Sequence, residues 1–176
     1  GSPIALPTRP IHMTTDIPSA HVLVAFNNPS ALRIYRINSD ATLGGEVKQS
    51  ETLDFGIYGH QVRVSPNGRL AILVARGNDP TNGVPEGPGS LKIFDYRGGA
   101  LTKEVSIAPN GGYGFGPRHL DFHPTQPWVY VSLERENKMD VYKMEGDALS
   151  PEAIYRKETL ANPDKIVSRQ AAGTVH

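Results

Sequence analysis

Residues 60–76, HQVRVSPNGRLAILVAR, contain two apolar segments on either side of a turn. Val62 and Val64 precede the turn, and alternate apolar residues continue from Leu70, with the period near two of half-buried strands. Residues 66–68, Pro-Asn-Gly, are typical turn formers. This stretch therefore predicts an antiparallel hairpin, the basic unit of an all-β protein.

The hairpin recurs along the chain. Three stretches superpose without a gap when they are aligned on Pro18, Pro66 and Pro124. An apolar strand begins four residues after each proline, at residues 22–26, 70–75 and 128–133. A second apolar segment follows, at residues 32–35, 91–94 and 139–142. Downstream, each copy has a Leu and a Glu three residues apart: Leu43 and Glu46, Leu101 and Glu104, Leu149 and Glu152. Such self-similarity indicates a repeat architecture.

Each copy is predicted to form four strands, which in the second copy span residues 60–65, 70–76, 91–96 and 101–107. Four antiparallel strands in about 40 to 60 residues are typical of a β-propeller blade. A β-sandwich or a β-solenoid is the alternative, but solenoid repeats are shorter and a sandwich need not repeat in register. The approximate repeats are 11–55, 56–114, 115–168 and a partial fourth copy, 169–176.

Three blades are fewer than the roughly four to eight that close a propeller. We therefore expect residues 1–176 to be the N-terminal half of one propeller domain. Its partner would be the C-terminal half, present as a second chain or as a cleaved segment. Completion by a second copy of the same chain, giving six blades, is the alternative.

Composition excludes several classes of function. Lys and Arg total 18 and Asp and Glu total 18, so no net field favours nucleic acid or an anionic membrane as a partner. The chain has no cysteine, which excludes disulfides, thiol catalysis and cysteine zinc sites. We expect a cytoplasmic protein. Because Gly1 and Ser2 resemble a cloning remnant, a removed leader peptide would leave a periplasmic or secreted location open.

Two positions differ in chemistry among the aligned copies. The residue six before each proline is His12, His60 or Arg118. The residue ten after it is Asn28, Arg76 or Glu134. Equivalent residues in successive blades lie at similar radii, so we expect the first set to form a polar arc near one mouth of the channel. A solvated channel lining is the alternative interpretation.

One segment carries a family resemblance. Residues 116–124, GPRHLDFHP, are followed by Trp128 and then by Glu134. This pattern resembles the lactonase family of seven-bladed propellers. The family includes the propeller-type bacterial 6-phosphogluconolactonases and the fungal 3-carboxy-cis,cis-muconate lactonizing enzymes. The similarity extends through residues 58–69 and 169–172.

The resemblance implies an enzyme with no metal or other cofactor and a small anionic substrate. In the family, a His, an Arg and a Glu from neighbouring blades form the proposed site, with a second Arg from a later blade. Here they correspond to His60, Arg118 and Glu134, and the later Arg would lie beyond His176. Weaker candidates for substrate binding are His12, Arg76, His119 and Arg169.

These residue types suit lactone hydrolysis. Arg118 and His60 would bind the developing oxyanion or a substrate anion, and Glu134 would take a proton from the attacking water. A carboxymuconate-type cycloisomerase and a non-catalytic binding scaffold are the alternatives. A solvated Glu134 paired with Arg135 or Lys138 is the structural alternative.

Other motifs carry weaker signals. His119 and His123 imitate a metal-binding pair, but four residues of strand span about 13 Å. The glycine-rich residues 111–116 lack the features of a phosphate loop and favour a tight crossing between blades. The loop at residues 77–90 is interpreted as a surface insertion, with a lid over the site as the alternative.

Overall fold

The computed structural model describes residues 3–167 and 170–176. These residues form three four-stranded antiparallel sheets in which consecutive strands are neighbours. Blade 1 contains β1 (Pro10–Thr15), β2 (His21–Asn27), β3 (Ser30–Ile37) and β4 (Leu43–Glu46). Blade 2 contains β5 (Gly59–Val64), β6 (Leu70–Ala75), β7 (Ser90–Arg97) and β8 (Ala100–Ile107). Blade 3 contains β9 (Pro117–Phe122), β10 (Trp128–Leu133), β11 (Lys138–Lys143) and β12 (Tyr155–Glu158). The prediction of an all-β chain built from propeller blades is confirmed.

Blade 2 lies between the other two blades, and every residue of β6 is buried. Ala71 and Leu73 belong to the core shared with blade 1. Leu70, Ile72 and Val74 belong to the core shared with blade 3. Because side chains alternate between the faces of a strand, one short apolar segment supplies both interfaces. Each fully buried aliphatic side chain stabilises the fold by about 1.5–3 kcal/mol. In the part of the chain that the structure describes, no helix has the length and hydrophobicity of a membrane span.

The strand register corrects the alignment of blade 1. Thr15 pairs with Val22, whereas Val64 pairs with Ala71 and Phe122 with Val129. Blade 1 is therefore displaced by one residue, and Ile17, not Pro18, is equivalent to Pro66 and Pro124. The predicted equivalence of His12 with His60 is wrong, as is that of Asn28 with Arg76. The true equivalents are Ile11 and Asn27.

The displacement has a physical reason in the turn. The side chain at its first residue, not the proline, satisfies the free N–H groups of the turn. Asp16 Oδ1 accepts hydrogen bonds from the backbone of Ala20 and His21, at 2.8 and 3.0 Å. Ser65 Oγ, its equivalent in blade 2, accepts from the N–H of Leu70 at 2.9 Å. The turn therefore tolerates the proline at a different place in blade 1.

The innermost strand of every blade has a β-bulge at the same position. In β5 the register steps from Gly59 to Gln61, which leaves His60 as the extra residue. The extra residue is Ile11 in β1 and Arg118 in β9. A bulge bends the strand and redirects a side chain. The bulges thus place His60 and Arg118 at the same level of adjacent blades.

Blade 3 departs from the predicted pattern in its fourth strand. This strand is Tyr155–Glu158 and pairs with β11, downstream of Leu149 and Glu152. Leu149 is instead buried in the core between blades 2 and 3 and forms an isolated bridge with Met144. The Leu and Glu of the third copy therefore belong to the connection before the strand.

A buried lysine fastens the crossing from blade 1 to blade 2. Lys92, on β7, places Nζ 2.5 Å from Asp54 Oδ2 and 2.8 Å from Glu104 Oε1. It also donates to Ser106 Oγ at 2.7 Å. Burial alone would lower the pKa of Lys92, but its hydrogen bonds to the two carboxylates raise it. Since Asp54 lies four residues before Tyr58, this contact anchors the segment that enters β5.

Candidate active site

The structure brings His60, Arg118 and Glu134 together at one end of blades 2 and 3. Glu134 follows β10 directly, and Arg118 is the bulged residue of the neighbouring strand β9. Arg118 Nη1 lies 2.8 Å from Glu134 Oε2. The side chain of Arg118 is 33% exposed and that of Glu134 is 16% exposed. Arg118 can therefore contact a ligand while it remains paired with Glu134.

Arg76 completes the ion pair from blade 2. Arg76 and Glu134 are equivalent residues, each following the second strand of its blade, and they face each other between the blades. Arg76 Nε lies 2.5 Å from the same Oε2 atom that binds Arg118. Its side chain is 13% exposed, much less than that of Arg118. Sequence reasoning ranked Arg76 only as a weak substrate ligand.

The protonation state of Glu134 depends on the two arginines that contact its Oε2 atom. Burial raises the pKa of the carboxyl group, but the hydrogen bonds and charges of Arg76 and Arg118 outweigh it and lower the pKa below its ordinary value. Glu134 is therefore ionised at neutral pH. In the described residues Oε1 has no hydrogen-bond partner, so this oxygen is the one that can accept a proton.

His60 is a neutral residue in this site. His60 is buried, with only 8% of its surface exposed. Burial, followed by the nearby charge of Arg118, lowers the pKa of His60 to about 4. Nδ1 is buried and has no partner among the described residues. Because an unpaired buried N–H is less tolerable than an unpaired acceptor, we assign the proton to Nε2. His60 is thus a neutral hydrogen-bond donor.

His119 packs against His60, and His12 lies near His119 on blade 1. The rings of His60 and His119 meet edge to face, with centroids 5.0 Å apart. Burial, then the charge of Arg118, lowers the pKa of His119 to about 4. His12 is in register with His119, and burial and the charge of Arg63 lower its pKa. Arg169, the remaining candidate, lies outside the described residues.

Tyr58 was missed by the sequence analysis. Its φ of +59° is unusual for a residue with a side chain and costs about 1–2 kcal/mol. Its carbonyl accepts the N–H of Arg76 at 2.9 Å. Its ring lies 5.8 Å from the Arg76 guanidinium and stacks beside His60 at 6.4 Å. This strained backbone therefore positions one aromatic ring between two site residues. The sequence carries no signal for the conformation.

Three charged residues were also missed by the sequence analysis: Asp79 and Glu86 on the loop at residues 77–90, and Arg135 next to Glu134. Asp79 Oδ2 lies 2.8 Å from Arg76 Nη2, and Asp79 Oδ1 lies 2.8 Å from Arg135 Nε. Glu86 Oε1 lies 2.5 Å from Arg135 Nη1. Arg135 therefore pairs with the loop and not with Glu134. The position of Asp79 three residues after Arg76 was the only signal in the sequence.

The remaining sequence motifs have structural roles. His123 Nδ1 accepts the backbone N–H groups of Thr125 and Gln126, at 3.1 and 2.9 Å, so it stabilises a turn. A Cβ on Gly116 would lie 2.6 Å from Cγ of Arg135, which explains the glycine there. Among the residues that the structure describes, no group of three His, Cys, Asp or Glu is placed to hold a metal ion.

The arrangement can bind and polarise a small anionic molecule. Arg118 offers a partly exposed guanidinium, and His60 offers a neutral N–H donor. Glu134 offers an ionised carboxylate with one oxygen fixed by two arginines. An anion would bind the guanidinium, while the N–H group could stabilise a developing oxyanion. The carboxylate could accept a proton.

Comparison with known proteins places these observations in a family. The family model described as "Lactonase, 7-bladed beta-propeller" matches residues 1–176. The 6-phosphogluconolactonase of Pectobacterium carotovorum is 26% identical over 178 residues, covering 98% of this chain and 48% of the relative. The 6-phosphogluconolactonase of Bacillus subtilis is 26% identical over 169 residues, covering 95% of this chain and 46% of the relative. The chain thus spans about half the length of the curated relatives it matches.

A solved structure has the same fold. The periplasmic gluconolactonase PpgL of Pseudomonas aeruginosa superposes with a TM-score of 0.63 at 21% sequence identity. The superposition covers 87% of this chain and 43% of that chain. At this identity the match supports the blade architecture.

Proposed function

The chain belongs to the lactonase family of seven-bladed β-propellers, and we propose that it supplies part of the active site of an enzyme that hydrolyses a small anionic lactone. The observation that carries this proposal is the contact of Arg76 and Arg118 with one oxygen of Glu134, beside a neutral His60. The names of the curated relatives support a phosphorylated sugar lactone as the substrate.

In the proposed reaction, Arg118 binds the anionic group of the substrate and the Nε2–H of His60 donates to the lactone carbonyl oxygen. Water attacks the carbonyl carbon and passes one proton to Glu134 Oε1. The carbonyl oxygen becomes an oxyanion in the tetrahedral intermediate. When the intermediate collapses, the ring C–O bond breaks and the proton passes to the leaving alkoxide. The product is the open-chain hydroxy acid.

Substrate binding would also make Glu134 a better base. A general base works best when its pKa lies near the working pH, and the two arginines hold the pKa of Glu134 below its ordinary value. A substrate anion on Arg118 would compensate part of that positive charge and raise the pKa of Glu134. The base would therefore become effective when a substrate is bound.

We further propose that the C-terminal half of the propeller, as a second chain or a cleaved segment, closes the ring. The outer face of blade 1 supports this, because it has an apolar surface pocket lined by Met13, Val22 and Leu43, and Leu43 is 38% exposed. Met13, beside that face, is 68% exposed. Native mass spectrometry tests the proposal: a complex with a second polypeptide of different mass supports it, whereas a homodimer or a lone chain opposes it.

The activity is tested by measuring hydrolysis of 6-phosphogluconolactone by the completed ring, after subtraction of spontaneous opening. We expect Glu134→Gln and Arg118→Ala to lower kcat/KM by about 100-fold or more, the range of a lost general base or charge-stabilising group. The matched control is Arg69→Ala, which removes an ion-paired arginine at the opposite end of β6 from Arg76. Rates unchanged by the two site substitutions would exclude this mechanism.

A further inference from the structure

We propose that Asp79, on the loop between β6 and β7, is a positioning residue that shares Arg76 with Glu134 and thereby keeps Glu134 competent as a base. The inference rests on the function proposed above. It assigns a catalytic purpose to the loop at residues 77–90, which the sequence favoured as a simple surface insertion.

Ion pairs and hydrogen bonds hold the loop at residues 77–90 against the site. Asp79 binds Arg76 from its own blade and Arg135 from blade 3. Glu86 binds Arg135 and accepts the N–H of Gly114 at 2.7 Å. Two backbone hydrogen bonds join Asn78 and Gly87, which close the loop upon itself. These contacts make the loop a wall of the site attached to both blades.

The contacts of Arg76 leave it little capacity for a substrate. Nε faces Glu134, Nη2 faces Asp79 and Nη1 donates to the carbonyl of Gly77 at 3.2 Å. The guanidinium also lies beside the ring of Tyr58. Because its donors point to protein groups, we infer that Arg76 acts through Glu134, while the more exposed Arg118 contacts the substrate.

The charges around Glu134 determine the direction in which each substitution should shift its pKa. The charged and titratable groups facing it are Arg76 at the end of β6, Arg118 and His119 on β9 and His60 on β5. Asp79 compensates part of the charge of Arg76. Replacing Asp79 by Asn would leave that charge free to lower the pKa of Glu134 further. Replacing Arg76 by Gln would remove a cation and raise it.

Opposite shifts of the Glu134 pKa in Asp79→Asn and Arg76→Gln distinguish this role from a merely structural one. If the loop only supported the site, Asp79→Asn would loosen the pair between Arg76 and Glu134. The pKa of Glu134 would then rise, as it would in Arg76→Gln. Only the sharing of Arg76 predicts that the two substitutions move the pKa in opposite directions.

The experiment is a carbon-13 NMR titration of the completed ring, with side-chain-labelled glutamate in this chain and the Glu134 signal assigned by its loss in Glu134→Gln. We expect the titration of Glu134 to move to lower pH in Asp79→Asn and to higher pH in Arg76→Gln. Arg76→Lys, which keeps the charge, should move it less than Arg76→Gln. Asp147→Asn removes an aspartate from a distant ion pair with Arg69 and is the matched control.

The same variants are then assayed in the completed ring. A weaker base predicts that Asp79→Asn lowers kcat about 3- to 10-fold, with the acid limb of the profile at lower pH. An Asp79→Asn titration that is unchanged or moved to higher pH overturns the inference. If the NMR shifts are as expected but the wild type hydrolyses no lactone, the proposed function fails while the electrostatic sharing stands.

Discussion

Replacing Lys92 by Met tests how strongly one buried cation secures the crossing between blades 1 and 2. Met keeps the apolar stem, so the substitution isolates the charge. The Lys92 side chain is 7% exposed, and Nζ contacts two carboxylates and one hydroxyl. A hydrogen bond to a charged group contributes about 1.5–3 kcal/mol, but Asp54 is 67% exposed and its share must be discounted. We therefore expect a loss of about 2 kcal/mol, mainly from the contact with Glu104.

The assay is thermal unfolding followed by circular dichroism. For a chain of this length, about 2 kcal/mol corresponds to a fall in Tm of about 4–8 °C. The control is Lys103→Met, because Lys103 is 81% exposed and its pair with Asp95 should contribute less than about 0.5 kcal/mol. The reasoning would be refuted if Lys92→Met had the same Tm as Lys103→Met.

Two further predictions concern a glycine and the buried histidines. Gly116→Ala would force a Cβ against Arg135, and we expect urea denaturation to show a loss of about 1–3 kcal/mol; Gly98→Ala, at a similar positive φ but in open space, should lose less, and equal losses would exclude the clash. Because burial lowers the pKa of His60 from about 6.5 to about 4, the unfolded chain takes up a proton first as the pH falls. Stability should therefore decrease between about pH 6.5 and 4. We expect this decrease, measured by urea midpoints, to be smaller in His60→Gln but unchanged when the exposed His176 is replaced by Gln, and an equal decrease in all three proteins would contradict the assignment.

The apolar pattern of the sequence predicted the positions of the strands well, because strand formation depends largely on neighbouring residues. The apolar residues from Leu70 onward predicted β6 to within one residue, but the strand is buried on both faces and not half-buried as the alternation indicated. The register of blade 1 was wrong because the proline was used as the fixed point of the turn. In the structure the acceptor side chain of Asp16 determines the turn. Which side chain satisfies which N–H group depends on geometry that spacing alone does not encode.

The site was predictable only in part. The motif GPRH and its distance from Glu134 identified residues that the structure does bring together. The network of Arg76, Asp79 and Arg135 was missed, because it joins residues about 58 positions apart across two blades. Such contacts depend on how the blades pack against each other, and the periodicity of apolar residues within one blade does not predict this packing.

The common bulge of the innermost strands has a consequence for the diversity of this architecture. The extra residue of a bulge has no partner of its own opposite it in the ladder. Its side chain can therefore change without disturbing strand pairing, as Ile11, His60 and Arg118 illustrate. Each blade thus offers one position where new chemistry can be introduced while the sheet remains intact, and substitution there is the natural starting point for changing the ligand that the channel accepts.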